Sequence, residues 1–387
     1  MNDQTQPQTS ANLAAVRAMR TNLSARFAER DQEIQGLLVA ALAGEHTMLI
    51  GPPGTGKSAM ARAFADMFGG ASYFETLLTR FSTPEELFGP ISLSGLKADR
   101  FTRVTAGKLP TAHVAFLDEI FKANSAILNS CLTALNERIF HDDGRPVAMP
   151  LLTCVGASNE LPEGQDLAAL WDRFVVRFVV SYTKAEGSFA AMLQGTAPAP
   201  AVNVLTLDQW AAIRADVEAV TLPDRAVAEL FRLRSKLAAS GIEASDRRWV
   251  KASKLLRAAA WLAGADTVTV HHFGILTATL WNTPDQIVPV REAVMELAGA
   301  EILKAERMFD AVMKLAIELR VESGGGWIER AGTARKELRK AQDWIAAMAT
   351  EAGDPQIAAR LTELAATLGT ESGTLGSVLK KRVGLDF

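Results

Sequence analysis

Short apolar runs alternate with helical patterns over the first half of the chain. Residues 113–118 and 151–157 form nearly continuous apolar runs, and comparable runs lie at 47–50, 72–78 and 174–182. Continuous runs of this length are typical of parallel strands that are buried on both faces. The stretches between them repeat apolar residues every three or four positions. The alternation predicts an α/β fold, with a parallel sheet covered by helices on both faces.

The second half of the chain carries helical patterns only. The last three predicted helices have apolar stripes, which in the final two recur about every 3.5 residues. Three such stripes joined by short loops are typical of an antiparallel three-helix bundle. The predicted helices of this half lie at 207–220, 223–239, 247–263, 273–281, 290–322, 327–350 and from 355 on.

These changes of pattern divide the chain into five predicted segments. A polar beginning and a Gly/Ser/Thr-rich end predict flexible termini. The Pro/Ala-rich residues 195–204 and the glycines at 324–326 predict breaks between helices. The segments are a disordered tail at 1–10, an α/β nucleotide-binding domain at 11–183, an all-α lid at 184–286, a three-helix bundle at 287–370 and a flexible C-terminal tail at 371–387.

A glycine-rich turn follows the first apolar run directly. The sequence GPPGTGKS at 51–58 matches the P-loop pattern G-x-x-x-x-G-K-[ST]. Its glycines allow backbone N–H groups to turn inward around a phosphate. Lys57 supplies charge for the β- and γ-phosphates, and the Ser58 hydroxyl suits Mg²⁺. A helix is predicted next, with its positive end toward the phosphates. The predicted nucleotide-binding residues of this turn are Gly51, Pro52, Pro53, Gly54, Thr55, Gly56, Lys57, Ser58 and Ala59.

Two acidic residues end the apolar run at 113–118, about sixty residues after the P-loop. At the carboxyl end of a parallel strand, Asp118 is placed to bind Mg²⁺ with Ser58, and Glu119 is placed to act as the base for an attacking water. The alternative is a helix beginning with two acids on its dipole. Asn159, at the tip of another predicted strand, is interpreted either as a water-positioning residue or as an ordinary turn residue.

Glu29, Arg30 and Asp31 interrupt the helical pattern that runs from 13 to 43. Two interpretations have equal weight. Either this junction approaches the nucleotide base, with Arg30 as a binding residue, or it is an ordinary junction between two helices.

Composition restricts the class of partner. The chain has 387 residues, a net charge of −3 and 48% hydrophobic residues, so nothing in its charge indicates nucleic acid or an anionic membrane as a ligand. No apolar run has membrane-spanning length, and the first ten residues are polar rather than signal-like. These features predict a soluble cytoplasmic protein without membrane insertion.

The ordered set of motifs resembles the AAA+ ATPases and, more closely, the MoxR family in its RavA (regulatory ATPase variant A) branch. The resemblance covers roughly residues 11–285 and implies a hexameric ring that uses ATP/ADP and Mg²⁺. Asp118 and Glu119 match Walker B, and Asn159 matches sensor 1. The motifs are GPPGTGKS, RFSTPEELFGP, TAGKLP, FLDEIFKANSAILNSCLTALNER, TCVGASNELP, LWDRF and SDRRW.

The resemblance also assigns roles to arginines. Arg173 in LWDRF matches the arginine finger, which acts on a neighbouring subunit's nucleotide, and Arg177 is a second candidate. The alternative for Arg173 is a surface arginine that caps the helix ending beside it. Arg247 in SDRRW matches the sensor-2 arginine, and the adjacent Arg248 is the alternative.

Two predicted insertions match family features that face the central pore. They are a glycine-rich insert at 88–105 and a hairpin at 138–147, the latter signalled by Asp-Gly. The chain departs from the RavA branch because no strand-rich segment is predicted beyond 183. Recruitment of the lysine decarboxylase that this branch's inserted domain serves is therefore not implied.

These observations together predict an ATPase that forms a ring and remodels other proteins. Chaperone-like maturation of a client, with a von Willebrand factor A (vWA) domain partner, follows from the resemblance alone. One alternative is a motor on nucleic acid, for which Lys97, Arg100 and Arg103 of the insert are suggestive. The other is a nucleotide-gated scaffold with little turnover.

Overall fold

The chain divides into two compact units, Met1–Val294 and Met295–Phe387. No helix in the part of the chain described here is long and apolar enough to cross a membrane. The structure, a computed structural model, describes residues 5–162, 164–195, 202, 204–321, 326–351 and 355–383.

A parallel sheet organises the first unit. The strands are β1 (His46–Ile50), β2 (Phe68–Gly69), β3 (Tyr73–Leu77), β4 (Val114–Asp118), β5 (Ile139–Asp142), β6 (Arg145–Ala148), β7 (Thr153–Ser158), β8 (Phe174–Val179) and β9 (Leu205–Thr206). Among the described residues, five of these strands form one sheet in the order β3-β4-β7-β1-β8, with all neighbours parallel. Every residue of β1 and β7 is buried. The predicted α/β fold is therefore confirmed.

Local sequence signals set several helix ends. Thr83 and Glu86 form a capping box at the helix that begins with Pro84. The helices are α1 (Thr5–Arg26), α2 (Asp31–Ala43), α3 (Lys57–Ala65), α4 (Pro84–Phe88), α5 (Leu93–Lys97), α6 (Ser125–Glu137), α7 (Gln165–Trp171), α8 (Glu186–Gln194), α9 (Leu207–Ala219), α10 (Asp224–Ala239), α11 (Asp246–Ala263), α12 (Ile287–Val321), α13 (Trp327–Glu351) and α14 (Pro355–Val383). Short 3-10 helices lie at Leu109–Thr111, Ile120–Lys122, Val270–Ala278 and Pro284–Gln286.

In the described part of the region predicted as an all-α lid, 184–286, the helices are accompanied by one short strand and by an isolated bridge between Thr221 and Thr267. Its strand β9 pairs in parallel with β2, and the Leu205 N–H donates to the Met67 carbonyl (3.1 Å). Two paired residues are too few to produce a strand pattern in the sequence. The connection predicted at 195–204 lies largely outside the described residues.

The helix predicted at 273–281 is instead the 3-10 helix Val270–Ala278. The hydroxyls of Thr277 and Thr279 donate to the carbonyls of Gly274 and Ile275 (2.7 and 3.0 Å). Such local side-chain bonds compete with the α-helical hydrogen-bond pattern.

The second unit has its own apolar core. The predicted break at 324–326 lies mostly outside the described residues, and α13 begins directly after Gly326. The indole N–H of Trp327 donates to the Leu319 carbonyl (2.7 Å), which links the beginning of α13 to α12. Buried core residues come from all three helices of this unit and include Ala305, Ala316, Leu319, Ala331, Leu338, Ile345, Leu361, Leu368 and Leu375.

The predicted flexible tail at 371–387 is wrong as far as Val383, because α14 continues through it. Leu375 is fully buried, and a Cβ at Gly376 would come within 2.8 Å of the Arg335 side chain on α13. The glycine that suggested flexibility in the sequence therefore lies where α14 packs closely against α13. Residues 384–387 lie outside the described residues.

The predicted disordered tail at 1–10 also needs correction. Helix α1 begins at Thr5, and only residues 1–4 of that segment lie outside the described part of the chain. The polar residues of TQPQTS precede the apolar positions at Val16, Met19 and Leu23, which are fully buried. The buried part of α1 is thus continuous with a polar first turn that the sequence pattern alone did not predict as helix.

The two predicted insertions are present as compact features. Residues 88–105 form a loop that contains α5 and is closed by an antiparallel bridge between Ile91 and Arg103. Residues 138–147 include the antiparallel hairpin of β5 and β6.

The insert and the hairpin are joined by hydrogen bonds. Asp142 and Asp143 at the hairpin turn accept the backbone N–H groups of Arg103 and Phe101 (2.9 and 2.8 Å). The apolar side chains that the insert leaves exposed are Leu93, Leu96, Phe101 and Val104.

Candidate functional site

The glycine-rich turn connects β1 to α3 and needs glycine for two separate reasons. A Cβ at Gly51 would overlap the carbonyl oxygen of Val180. Gly56 caps the beginning of α3 with φ 84°, a left-handed conformation that other residues rarely adopt. The first N–H groups of α3 therefore point toward the space above the turn, where an anion can bind.

Lys57 is folded back onto the turn. Its Nζ donates to the carbonyl oxygens of Gly51 (2.6 Å) and Pro52 (2.9 Å). Burial lowers the pKa of Lys57, and the charges of Asp118 and Glu119 act against this shift. The ammonium group is held within the turn by weak carbonyl ligands, which a phosphate oxygen can replace.

The two predicted carboxylates lie at the carboxyl end of β4. Glu119 has a left-handed backbone (φ 51°), and its N–H donates to Asp118 Oδ1 (3.0 Å). Burial raises the pKa of Asp118, while this backbone hydrogen bond and the charge of Lys57 lower it. The bend directs two adjacent carboxylates differently, so that one can bind a metal while the other stays free to act as a base.

Glu119 is held from two sides. Asn159, which directly follows β7, donates from Nδ2 to Glu119 Oε1 (2.5 Å), and Lys122 Nζ lies 3.2 Å from Oε2. The structure thus brings Glu119 and Asn159 together, a contact that the sequence did not predict. The sequence analysis missed Lys122, although its position three residues after Glu119 was a usable signal.

The residues present fit a magnesium nucleotide. Among the described residues, no cluster of three or more His, Cys, Asp or Glu side chains could enclose a metal ion. Mg²⁺ in nucleotide sites needs no such cluster, because one or two protein ligands are completed by phosphate oxygens and water. Ser58 and Asp118 are the residues that would hold it.

A cleft of about 510 Å³ opens beside the turn. This volume lies within the usual range of small-molecule sites. The P-loop residues 54–56 form one wall, and the junction between α1 and α2 and the helix α8 form the others. Apolar side chains suited to stacking on a nucleotide base line it, namely Phe27, Tyr182, Phe189 and Met192.

Arg30 lines this cleft but is also structural. Its guanidinium donates to the carbonyls of Ser181 (2.5 Å) and Glu29 (2.9 Å). The two interpretations of the 29–31 junction are thus compatible, since Arg30 lies at the cleft while bracing the chain.

Glu29 has a role that the sequence analysis missed. Its carboxylate accepts the N–H groups of Lys184 and Ala185 (both 2.9 Å), and these bonds lower its pKa. Glu29 thereby fixes the beginning of α8, the helix that carries Phe189 and Met192 into the cleft.

Arg173 lies at the opposite end of the strands from the P-loop, which we call the amino edge of the sheet because the strands begin there. It directly precedes Phe174, which pairs with His46 at the beginning of β1, whereas the P-loop follows Ile50 at the end of β1. Four strand steps separate these levels, roughly 13 Å. Arg173 Nη1 donates to the Ala169 carbonyl (2.6 Å), as the helix-capping alternative requires, and Nε has no hydrogen-bond partner among the described residues.

Arg177 is not available to another subunit. Its side chain is 1% exposed, and it donates to the carbonyls of Phe174 (2.8 Å), Trp281 (2.6 Å) and Trp171 (2.8 Å). The guanidinium also packs over the Trp171 ring at 4.1 Å. The interpretation of Arg177 as a finger is therefore wrong, because its hydrogen-bonding capacity is used inside its own chain.

Arg247 and Arg248 also differ in burial. The Arg248 side chain is 4% exposed and pairs with Asp172 (2.9 Å), whereas that of Arg247 is 47% exposed and lies 3.6 Å from the same carboxylate. Burial lowers the pKa of Arg173, and so does the nearby charge of Arg247. Arg247 therefore lies near Arg173 at the amino edge of the sheet, away from its own P-loop.

One of the three basic residues of the insert has partners within its own chain. Arg103 Nη1 donates to the Gly89 carbonyl (2.7 Å) and lies 3.3 Å from Glu85 Oε1. One of the three cations considered for nucleic-acid binding is thus used to hold the loop together.

Two family profiles match the chain. The family profile described as "MoxR domain in the MoxR-vWA-beta-propeller ternary systems" matches residues 14–208. A second profile, described as "AAA lid domain", matches residues 226–294.

Two relatives from Methanocaldococcus jannaschii match most of the chain. Uncharacterized protein MJ0812 is 39% identical over 285 residues, covering 73% of this chain and 75% of its own. Uncharacterized protein MJ0079 is 34% identical over 332 residues, covering 86% of each chain. A crystal structure of a candidate ATPase from Cytophaga hutchinsonii has a TM-score of 0.62 at 14% identity, covering 76% of this chain and 96% of its own. This last similarity shows the fold alone.

Proposed function

The chain belongs to the MoxR family of AAA+ ATPases, and we propose that it hydrolyses Mg-ATP at sites completed by neighbouring subunits of a ring. One observation carries the proposal. Lys57, Asp118, Glu119 and Asn159 gather at the carboxyl edge of the sheet, while Arg173 lies at the amino edge. A site that needs both sets of groups requires two copies of the chain.

The residues divide the work of hydrolysis. Glu119, held by Asn159 and Lys122, takes the proton of the attacking water. Lys57 leaves the carbonyls of its own turn and binds the β- and γ-phosphate oxygens. Mg²⁺, when held by Ser58 and Asp118, would neutralise charge on those oxygens.

Arginines from the neighbouring subunit complete the site. Arg173 and Arg247 stabilise the charge that develops on the transferring phosphoryl group, a contribution worth about 10³–10⁵ in turnover for an arginine finger. That factor corresponds to roughly 4–7 kcal/mol of transition-state stabilisation. Hydrolysis would then depend on assembly of the ring, for which we propose a hexamer.

The energy of hydrolysis would serve the remodelling of a protein partner in the cytoplasm. The exposed apolar residues of the 88–105 insert support contact with an unfolded client segment. The family description supports a partner with a vWA domain and one with a β-propeller. Assignment to the RavA branch, chaperone-like maturation and the absence of a nucleic-acid ligand stay predictions from the sequence.

The test is the ATPase rate per subunit as a function of protein concentration, with particle mass measured in the same samples. We expect the rate to rise as rings form. Arg173→Ala should assemble and bind ATP but lose at least about 10³-fold in turnover. Arg339→Ala, an exposed arginine on α13, is the matched control and should hydrolyse ATP normally.

Full activity in monomers, or in Arg173→Ala rings, would contradict the shared site. A wild-type ring that binds ATP without measurable turnover would instead support the scaffold alternative.

A further inference from the structure

A network of polar side chains joins the end of α7 to the first turn of α11. At its centre is Asp172, whose side chain is 16% exposed. Both carboxylate oxygens lie 2.9 Å from the Ser245 hydroxyl, which caps α11. Oδ1 accepts from Arg248 Nη2 at 2.9 Å, and Oδ2 lies 3.6 Å from Arg247 Nη1.

The partners of Asp172 are themselves fixed. Buried Arg248 also donates from Nη1 to Asn282 Oδ1 (2.7 Å), and Asn282 Nδ2 donates to the Glu243 carbonyl (2.8 Å). Burial alone would raise the pKa of Asp172, but Arg248 and the Ser245 hydroxyl hold it below its usual range. The carboxylate is therefore an ionised anchor held by hydrogen bonds from Ser245 and Arg248.

The two arginines proposed to act on a neighbour's nucleotide lie on either side of this anchor. Arg173 is the next residue along the chain, and Arg247 is an ion-pair partner. The charge of Arg247 acts on Arg173, so that the two cations repel each other when no phosphate lies between them. The negative charge of Asp172 lies 3.6 Å from Arg247 and also acts on Arg173, which opposes that repulsion.

We propose that Asp172 is a positioning residue for the neighbouring subunit's nucleotide. It holds Arg173 and Arg247 in register with each other, so that both reach the same γ-phosphate in the next subunit. This inference rests on the shared site proposed above. It predicts that loss of Asp172 harms hydrolysis in the neighbouring subunit and not in its own.

A purely structural clamp between the lid and the sheet would behave differently. It would make the same contacts, but its loss would damage the subunit that carries the change. The two roles are therefore separated by asking which subunit's site fails.

The experiment mixes two variants that are each impaired in hydrolysis. Asp172→Asn keeps its own Walker groups, and Glu119→Gln keeps an intact Asp172 and both arginines. We expect Asp172→Asn rings to assemble, to keep KM for ATP within about twofold, and to lose roughly 10- to 100-fold in kcat, the cost of a misplacement near 1 Å. Asp224→Asn, on the exposed first turn of α10, is the matched control and should keep normal activity.

Mixing Asp172→Asn with an equal amount of Glu119→Gln should restore activity. If subunits mix at random, about one quarter of the sites combine an intact Glu119 with an intact neighbouring arginine pair. Ser245→Ala removes one hydrogen bond to Asp172 without changing its charge. It should show a smaller loss, and in the same mixture the rate per subunit with an intact Glu119 should rise. It replaces Asp172→Asn if that variant does not fold.

Arg173→Ala mixed with Glu119→Gln separates the two proposals. If this pair recovers activity but Asp172→Asn does not, the shared site stands and the role of Asp172 is refuted. If neither pair recovers in verified mixed rings, the shared site itself fails. Normal kcat in Asp172→Asn alone would also overturn the positioning role.

Discussion

At the scale of single residues, the backbone at Glu119 separates two adjacent acids, of which we propose that Glu119 acts as the base. Asp118 continues the strand direction, while the left-handed backbone at Glu119 turns the second acid away. Asn159 donates a hydrogen bond to one oxygen of Glu119. This bond limits the directions from which the Glu119 carboxylate can accept a proton. Loss of this orientation should therefore lower the rate of hydrolysis more than it lowers the protein's affinity for nucleotide.

Replacing Asn159 with alanine tests this point. Glu119 would lose its shortest contact and sample other rotamers, so we expect kcat to fall roughly 10- to 100-fold. The dissociation constant for a fluorescent ATP analogue should stay within about threefold, because Asn159 is not predicted to carry binding energy. Steady-state ATPase and nucleotide titrations measure the two quantities. Asn136→Ala, at an exposed position on α6, is the control. A kcat within twofold of wild type would contradict the assignment.

His46 makes folding sensitive to acid. The Cys154 N–H donates to its Nδ1 (3.0 Å), and its Nε2 lies 2.7 Å from the Leu135 carbonyl. Burial lowers its pKa to about 3, and the charge of Arg138 contributes. The unfolded chain binds a proton on this residue below about pH 6.5, which the folded chain does not take up until about pH 3. The stability that neutral His46 contributes to the folded chain is thus lost as the pH falls below 6.5.

Protonation of His46 in the unfolded chain should lower the free energy of unfolding by about 2 kcal/mol between pH 6.5 and pH 5, at 1.36 kcal/mol per pH unit. Urea unfolding of wild type and His46→Gln at several pH values measures the difference in slope. His141→Gln, at an exposed hairpin position, should keep the wild-type slope. Equal slopes for wild type and His46→Gln would contradict the role of His46.

At the scale of elements, the hairpin and the insert form one hydrogen-bonded feature. The hairpin follows α6, and α6 follows the strand that carries Asp118 and Glu119. Through Asp142 and Asp143, any displacement of the hairpin turn is passed to the backbone of the insert. The stacked rings of Phe88 and Phe140, 5.6 Å apart, add a second contact between α4 and β5.

Replacing both Asp142 and Asp143 with alanine should loosen the insert. The N–H groups of Phe101 and Arg103 would lose their acceptors, so we expect their hydrogen exchange to become at least about tenfold faster, the effect of losing roughly 1.4 kcal/mol of protection. ATP affinity should not change. Exchange measured by mass spectrometry on peptides from 88–105 gives the result, and Lys97→Ala, at an exposed position on α5, is the control. Unchanged exchange would show that the insert is held by its own contacts.

The elements also show where sequence reasoning succeeds and where it stops. The strands and the P-loop could be predicted because burial on both faces and a phosphate turn impose patterns on neighbouring residues. Arg173 and Arg177 could not be separated in this way, since they lie on one strand approach and share one residue type. The contacts that make Arg177 a buried brace include the Trp281 carbonyl, which lies more than a hundred positions away in the chain.

At the scale of the whole molecule, the sequence pattern predicted too little helix at the two ends of the chain, for a related reason. The Gly/Ser/Thr-rich end of the chain reads as flexible when it is considered alone. In the structure, glycines on α14 meet Gln342 and Arg335 of α13. Close packing between two helices is invisible to a pattern that examines one segment at a time.

Each unit has its own core, so we expect two thermal transitions. Only the first unit contains the P-loop, and ATP should therefore stabilise one transition by mass action. At a hundred times Kd the gain is about 2.7 kcal/mol. Calorimetry with and without Mg-ATP, on wild type and on Lys57→Ala, measures the effect. A single transition, or an equal shift of both with ATP, would contradict independent cores.

The placement of Arg173 at the far edge of its own sheet has a consequence for inheritance. If Arg173 acts on the neighbouring subunit as proposed, then in a cell with two alleles a subunit that lacks Arg173 would keep a sound nucleotide pocket and deprive a normal neighbour of its activator. The lesion would therefore be partly dominant, with severity set by the ratio of the two gene products. A loss of Lys57 would disable the subunit that carries it and spare the adjacent one. The same protein would thus show two patterns of genetic dominance, divided by which edge of the sheet is altered.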